Sequence, residues 1–156
     1  MTTARILVDG DACPVRAEIE RCAAELRVPV RVFANASQQA ETPGDRVVVG
    51  DGSDAADFAL FRESASDSVV VTDDIGLAAM VLSRGAAAIS SRGRRFERGT
   101  IESQLHLRHL GRKARRAGRR TGGPPPFTEA DRTRFVQALT DCVKELMNTP
   151  DRQEPT

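Results

Sequence analysis

Short apolar runs alternate with longer amphipathic stretches along the first 91 residues, which is the pattern of an α/β fold. The runs that predict strands are residues 5–8, 30–34, 46–49, 68–72 and 86–90. Because strands separated by single helices pair in parallel, the alternation predicts a three-layer α/β/α architecture with a central, mainly parallel sheet.

Three helices are predicted between these strands. The first carries apolar residues at helical spacing up to Leu26, and Pro14 fits its first turn because proline lacks only an N–H that would be unsatisfied there. Ser53 is the predicted N-cap of the second helix. Gly85 is the predicted left-handed C-cap of the third helix, at residues 75–83.

The remainder of the chain has a different character. Residues 101–118 are helical by propensity, and their second half is almost wholly basic. A glycine- and proline-rich stretch at 119–127 interrupts the helical pattern before Thr128, the predicted N-cap of a C-terminal helix. We expect one domain over 1–147, containing a basic, partly flexible segment at 92–122, and a disordered tail at 148–156.

Composition indicates a globular protein of the cytoplasm. With 156 residues, of which 40% are hydrophobic, the chain can bury a core of its own. Its three cysteines, Cys13, Cys22 and Cys142, have no disulfide or metal-binding spacing. We find no signal-peptide pattern and no apolar run of the ~20 residues that a membrane helix needs, so no membrane partner is expected.

The small net charge of +1 conceals a strong asymmetry. Residues 1–91 hold 8 basic and 14 acidic residues, a net charge of −6. Residues 92–120 hold 11 basic and 2 acidic residues, a net charge of +9. An acidic part and a basic segment in one small protein indicate two tasks, holding cations and attracting polyanions.

Aspartates follow three of the predicted strands. Asp9 follows the first strand, Asp54 and Asp57 follow the third, and the pair Asp73 and Asp74 follows the fourth. Because residues after parallel strands converge at one edge of the sheet, these carboxylates would repel one another without a cation. Oxygen ligands favour Mg²⁺ or Mn²⁺. The predicted metal ligands are Asp9, Asp11, Asp54, Asp57 and Asp74.

Two other kinds of chemistry are disfavoured by the same charges. Residues 50–55 match the glycine fingerprint of dinucleotide-binding loops, but Asp51 and Asp54 would stand where the pyrophosphate must lie. Cys13 lies at the start of a predicted helix, a position that suits a nucleophilic cysteine. The carboxylates of Asp9 and Asp11, however, disfavour its thiolate. We therefore expect Cys13 to be a packing residue.

Residues 69–89 resemble the closing half of a PIN-like nuclease domain. More closely, five motifs, in order, resemble those of the YaiI/YqxD family of small bacterial proteins. These motifs lie at 8–15, 52–57, 72–78, 91–93 and 120–127. The resemblance implies that Asp74, rather than Asp73, is the shared acid. It also implies a phosphate-binding role for two arginine–glycine motifs, comprising Arg92, Gly93, Arg120, Thr121 and Gly122. The family carries no assigned activity.

The leading hypothesis is a metal-dependent nuclease acting on RNA by a metal-activated water. Asp9, Asp54, Asp57 and Asp74 would form the catalytic centre, and Arg92, Arg94, Arg95 and Arg120 would contact phosphate. One alternative is a non-catalytic RNA-binding module with a structural or vestigial acidic site. Another is a phosphatase of the haloacid-dehalogenase kind, suggested by Asp9 and Asp11 after a strand. The chain's only lysines, Lys113 and Lys144, are poorly placed for that chemistry.

Overall fold

The structure is a computed structural model, and it describes most of the chain. The described residues are 3–10, 14–35, 45–49, 55–116 and 126–148. Several positions named above lie outside them: Asp11, Cys13, Ser53, Asp54, Arg120, Thr121, Gly122 and the segment 149–156.

The described strands form one sheet of six, in the order β3-β2-β1-β4-β5-β6. They are β1 (Arg5–Asp9), β2 (Val30–Asn35), β3 (Asp45–Val49), β4 (Ser68–Val71), β5 (Ala87–Ile89) and β6 (Arg95–Phe96). The first five pair in parallel, which confirms the mainly parallel sheet, and β6 pairs antiparallel to β5. The sequence did not predict β6, because a two-residue strand carries no periodic signal.

Five helices accompany the sheet in the described part of the chain. They are α1 (Arg16–Leu26), α2 (Ala55–Glu63), α3 (Ile75–Ser83), α4 (Arg98–Arg116) and α5 (Glu129–Asn148). Gly85 has the expected left-handed conformation after α3, with φ of 87°. Pro14 lies just before α1 rather than in its first turn, since Val15 is the N-cap. The Pro14 carbonyl instead accepts a hydrogen bond from Arg132 Nη1 at 2.8 Å.

Two apolar layers cover the two faces of the sheet. Val8 and Val71 face the layer that α1 and α5 form, with Phe135 and Leu139 buried at its centre. The intervening strand residues, including Leu7 and Val70, face α2, α3 and the first part of α4. Successive strand residues thus point to opposite covered faces, which explains why the strands read as continuous apolar runs. The three-layer α/β/α fold is confirmed.

The helices and strands together define one edge of the sheet, which we name the carboxyl edge. There β1 ends at Asp9, β4 at Val71 and β5 at Ile89. A helix that joins two parallel strands must run back across the sheet, so α1, α2 and α3 all begin at this edge. The start of α5 lies there too, because Arg132 contacts Glu18 in the first turn of α1.

The far end of α5 closes the described part of the chain. The helix continues through Asn148, the residue at which the sequence placed the start of the tail. Within the described ranges, no helix combines the length and apolar character that crossing a membrane requires.

Candidate active site

Asp9 lies at the centre of the carboxyl edge. It is the last residue of β1, between β2 and β4, and its exposed fraction is 9%. A carboxylate in this position requires hydrogen-bond donors. Thr72, the residue after β4, supplies one: its Oγ1 donates to Asp9 Oδ2 at 2.9 Å.

Asp74 is connected to Asp9 through the same threonine. The backbone N–H of Asp74 donates to Thr72 Oγ1 at 3.0 Å. Its side chain caps α3, with Oδ1 accepting the backbone N–H groups of Gly76 at 2.8 Å and Leu77 at 3.4 Å. The structure therefore brings together two of the predicted acidic residues, Asp9 and Asp74, from the ends of adjacent strands.

Asp73 has a different role from its neighbour. Its carboxylate accepts hydrogen bonds from both the backbone N–H and the hydroxyl of Ser91, at distances between 2.7 and 2.9 Å. This contact joins the end of β4 to the turn between β5 and β6. Asp73 thus orients the loop that carries Arg92 and Gly93.

Asp57, the third predicted acid in the described part of the chain, lies in the first turn of α2. It is half-buried, and α2 contacts β1, β2 and α3. Asp57 is therefore at the same edge as Asp9 and Asp74. Within the described residues no three His, Cys, Asp or Glu side chains form a group that could hold a metal ion. Asp11 and Asp54, the remaining predicted ligands, lie outside that part of the chain.

Arg92 lies in the turn between β5 and β6, beside the start of α5. Its Nη1 is 3.2 Å from Asp131 Oδ2, and its guanidinium lies 5.6 Å from the centre of the Phe127 ring. The Arg132 guanidinium lies 5.0 Å from the centre of the same ring. These contacts connect the turn to α5 and leave about a third of the Arg92 side chain exposed.

Gly93 holds that turn against α5. Its φ is 85°, a conformation that glycine adopts without strain. A Cβ at this position would lie 2.6 Å from the backbone carbon of Arg134. The close approach of two backbones accounts for glycine here independently of any phosphate. Arg94, the next residue, is exposed.

Arg95 is directed to the middle of α5. Its Nε and Nη2 lie 3.1 and 2.7 Å from the Cys142 Sγ, and its Nη1 forms an ion pair of 3.1 Å with Glu145. Burial raises the pKa of the Cys142 thiol, and the Arg95 guanidinium opposes that shift. Arg95 is therefore engaged in fixing β6 to α5. Cys142 and Cys22 are buried free thiols.

Asp131 organises the start of α5 and was not among the predicted residues. It is 4% exposed, and its Oδ2 accepts the backbone N–H of Thr128 at 2.9 Å. Thr128 Oγ1 accepts the Asp131 N–H in return, at 3.2 Å, which forms a capping box. The Thr128 bond lowers the pKa of Asp131 against the effect of burial, and Arg134 and Arg92 lower it further. The Thr-x-x-Asp spacing is the sequence signal that could have identified this residue.

The carboxyl edge therefore combines opposite charges. Asp9, Asp57 and Asp74 lie at the strand and helix ends, and Arg92 and Arg94 lie on the adjoining turn. Arg16, at the start of α1, lies at the same edge, where its Nη2 donates to the Gly10 carbonyl at 3.4 Å. Acidic groups beside arginines could hold a cation and a phosphate next to one another.

Comparisons with known proteins place the chain in a family. Residues 7–145 match the model of the family described as "Uncharacterized BCR, YaiI/YqxD family". UPF0178 proteins of Brucella ovis and Brucella suis are each 44% identical to it over 144 residues, covering 90% of this chain and 89% of theirs. A UPF0178 protein of Brucella canis is similar to the same extent. No solved structure matches it. The expectation drawn from the motifs is confirmed: the chain belongs to the YaiI/YqxD family.

Proposed function

We propose that this protein is a metal-dependent nuclease that hydrolyses RNA phosphodiester bonds at the carboxyl edge. The observation that carries the proposal is the connection of Asp9 and Asp74 through Thr72. It brings two carboxylates from adjacent strands to the edge where the Arg92 turn also lies. A crevice beyond the carboxyl ends of parallel strands is where open α/β sheets bind their ligands.

The acidic residues at this edge have the ligand chemistry of a hard divalent cation, although those in the described residues do not by themselves form a group of three that could hold one. Asp9, Asp57 and Asp74 offer carboxylate oxygens, which suit Mg²⁺ or Mn²⁺ better than a soft metal. Asp11 and Asp54 would complete the ligand set in the proposal. When bound, such an ion activates water and stabilises the leaving oxygen of a phosphodiester.

The remaining contributions come from the chain's own residues. Thr72 holds the Asp9 carboxylate in one orientation, so that its geometry is fixed before a ligand arrives. Arg92 and Arg94 would hold backbone phosphates of the strand, with Arg120, Thr121 and Gly122 as further proposed contacts. Gly93 would let the turn approach α5 closely. Arg95 would contribute positive potential while its guanidinium stays with Cys142 and Glu145.

The direct test is cleavage of labelled RNA, single-stranded and structured, by the purified protein with Mg²⁺ or Mn²⁺. We expect turnover that is lost in Asp9→Asn and Asp74→Asn. Asp141→Asn is the matched control, because Asp141 is exposed on α5 and accepts a hydrogen bond from Gln137 of the same helix, at 2.9 Å. Absence of cleavage with every metal, or equal cleavage by Asp9→Asn, would sink the proposal.

A non-catalytic RNA-binding module is the second candidate, and one observation favours it. The Asp74 carboxylate caps α3, and the Asp9 carboxylate bonds Thr72, so each acid already has a structural partner. This candidate predicts RNA binding that persists without metal and in Asp9→Asn. Turnover, not affinity, separates the two candidates.

A phosphatase of the haloacid-dehalogenase kind has less support. That chemistry uses a lysine beside the phosphorylated aspartate. Lys144 is exposed in the last turns of α5, the helix that begins at the carboxyl edge. The sixteen residues from Glu129 to Lys144 span about 24 Å of helix, which separates this lysine from Asp9.

A further inference from the structure

Phe58 stands apart from the other five phenylalanines of the chain. Its exposed fraction is 56%, the largest of any phenylalanine in the described residues. Three others are buried in the apolar layers: Phe33, Phe96 and Phe135. The remaining two are covered by guanidinium groups, Phe61 by Arg84 and Phe127 by Arg92 and Arg132.

Exposure alone does not mark a site, because single apolar side chains are common on protein surfaces. The location of Phe58 is what distinguishes it. It follows Asp57 in the first turn of α2, the end of that helix that lies at the carboxyl edge. Ala56 and Leu60 direct the opposite side of α2 into the core, so the Phe58 ring is turned to solvent.

We propose that Phe58 is a stacking platform for an unpaired nucleobase, so that the substrate is single-stranded rather than duplex RNA. The inference rests on the proposed function and adds the substrate class. Stacking on an aromatic ring requires a base whose face is free, which a duplex does not offer. The chain contains no tryptophan or tyrosine, and Phe58 is the most exposed of its phenylalanines in the described residues.

The arginines and Phe58 would then recognise different parts of the RNA. Arg92 and Arg94 attract the backbone regardless of sequence, and Phe58 accepts any base because every base has an aromatic face. The acidic edge between α2 and the β5–β6 turn would hold the intervening phosphodiester. The expected specificity is for strandedness, with little preference among bases.

The absence of tryptophan and tyrosine makes the test direct. Phe58→Trp introduces the chain's only strongly fluorescent side chain at the proposed platform. The variant is titrated with a single-stranded RNA oligonucleotide, with the same sequence in a duplex, and with an abasic strand of equal length. Titrations are run in EDTA, where the strand is not cut, and repeated with Mg²⁺. We expect the single strand to quench the indole fluorescence of Phe58→Trp, and the duplex and abasic strand to leave it unchanged.

A matched reporter locates the effect. Met147→Trp lies near the far end of α5, outside the basic segment, where Met147 is 40% exposed. It should not be quenched as strongly as Phe58→Trp. Separately, Phe58→Ala should weaken single-strand binding about tenfold, as for one lost stacking contact, and Phe58→Tyr should restore it.

The outcomes distinguish this inference from the function on which it rests. Anisotropy of a labelled strand reports binding independently of the indole. If the strand binds while Phe58→Trp is unquenched, or is quenched equally by the abasic strand, the stacking role is overturned and RNA binding stands. If the wild-type protein binds no RNA with or without Mg²⁺, both are overturned. Urea unfolding of each variant confirms that the exposed substitution leaves the fold intact.

Discussion

Thr72 donates a hydrogen bond of 2.9 Å from its hydroxyl to Asp9 Oδ2, across two adjacent strands of the sheet. The pairing of β1 with β4 matches Val8 with Val71, so the residues that follow these two, Asp9 and Thr72, lie side by side. The hydroxyl also accepts the N–H of Asp74, at 3.0 Å. One buried threonine thus orients two of the proposed metal ligands.

Thr72→Val should destabilise the protein, because it preserves shape but removes a donor from a buried carboxylate. We expect a loss of about 1–3 kcal/mol in the free energy of unfolding, measured by urea denaturation. Thr72→Ser keeps the hydroxyl and should lose clearly less. A valine variant as stable as the wild type would show that Asp9 does not depend on this bond.

The sequence could predict this edge because parallel strands end together. The apolar runs before Asp9 and Asp74 were sufficient to place both acids at the same side of the sheet. Their connection through Thr72 was not predictable, since it depends on the register of β1 against β4. Register is determined by packing on both faces of the sheet and not by local pattern.

For the arginines, the sequence predicts the charge but not the contacts of individual side chains. Local charge predicted that residues 92–120 attract polyanions, but it could not say which side chains are engaged within the fold. Arg92 pairs with Asp131, and Arg95 contacts Cys142, 39 and 47 residues further along the chain. Such contacts arise only when α5 folds back beside the β5–β6 turn. The sequence could identify the basic segment, but only the tertiary structure shows which of its arginines are engaged within the fold.

Asp131 should make stability depend on pH in the acid range. The Thr128 hydrogen bond and the neighbouring Arg134 and Arg92 hold its folded-state pKa below the ordinary value of 3.8. The stabilisation is therefore fully present above that value and is lost as the pH falls through the folded-state pKa. Compared with Asp131→Asn by urea unfolding, the wild type should be more stable at pH 6. The difference should shrink below pH 4; a difference constant from pH 6 to pH 3 would contradict this assignment.

Substitutions of Arg92 and Arg94 should distinguish an effect on folding from an effect on phosphate binding. Arg92→Ala removes the ion pair with Asp131 and the contact with Phe127, so its melting temperature should fall. Arg94→Ala, at an exposed position, should leave the melting temperature unchanged. If both bind backbone phosphates, each substitution lowers the slope of log affinity against log salt by about 0.7 for single strands. Unchanged slopes for both variants would remove the turn from the proposed RNA contact.

Gly93→Ala should be among the most destabilising single changes in the turn. Alanine is strained at a φ of 85°, and its Cβ would lie 2.6 Å from the Arg134 backbone carbon, which cannot yield as a flexible side chain would. We expect a loss of more than about 2 kcal/mol in the free energy of unfolding, measured with urea.

Gly99→Ala is the matched control, because nothing lies within 4 Å of a Cβ there and the residue belongs to α4. Alanine favours a helix by up to about 1 kcal/mol over glycine, so Gly99→Ala should be neutral or stabilising. Equal stability of the two variants would show that the turn can withdraw from α5.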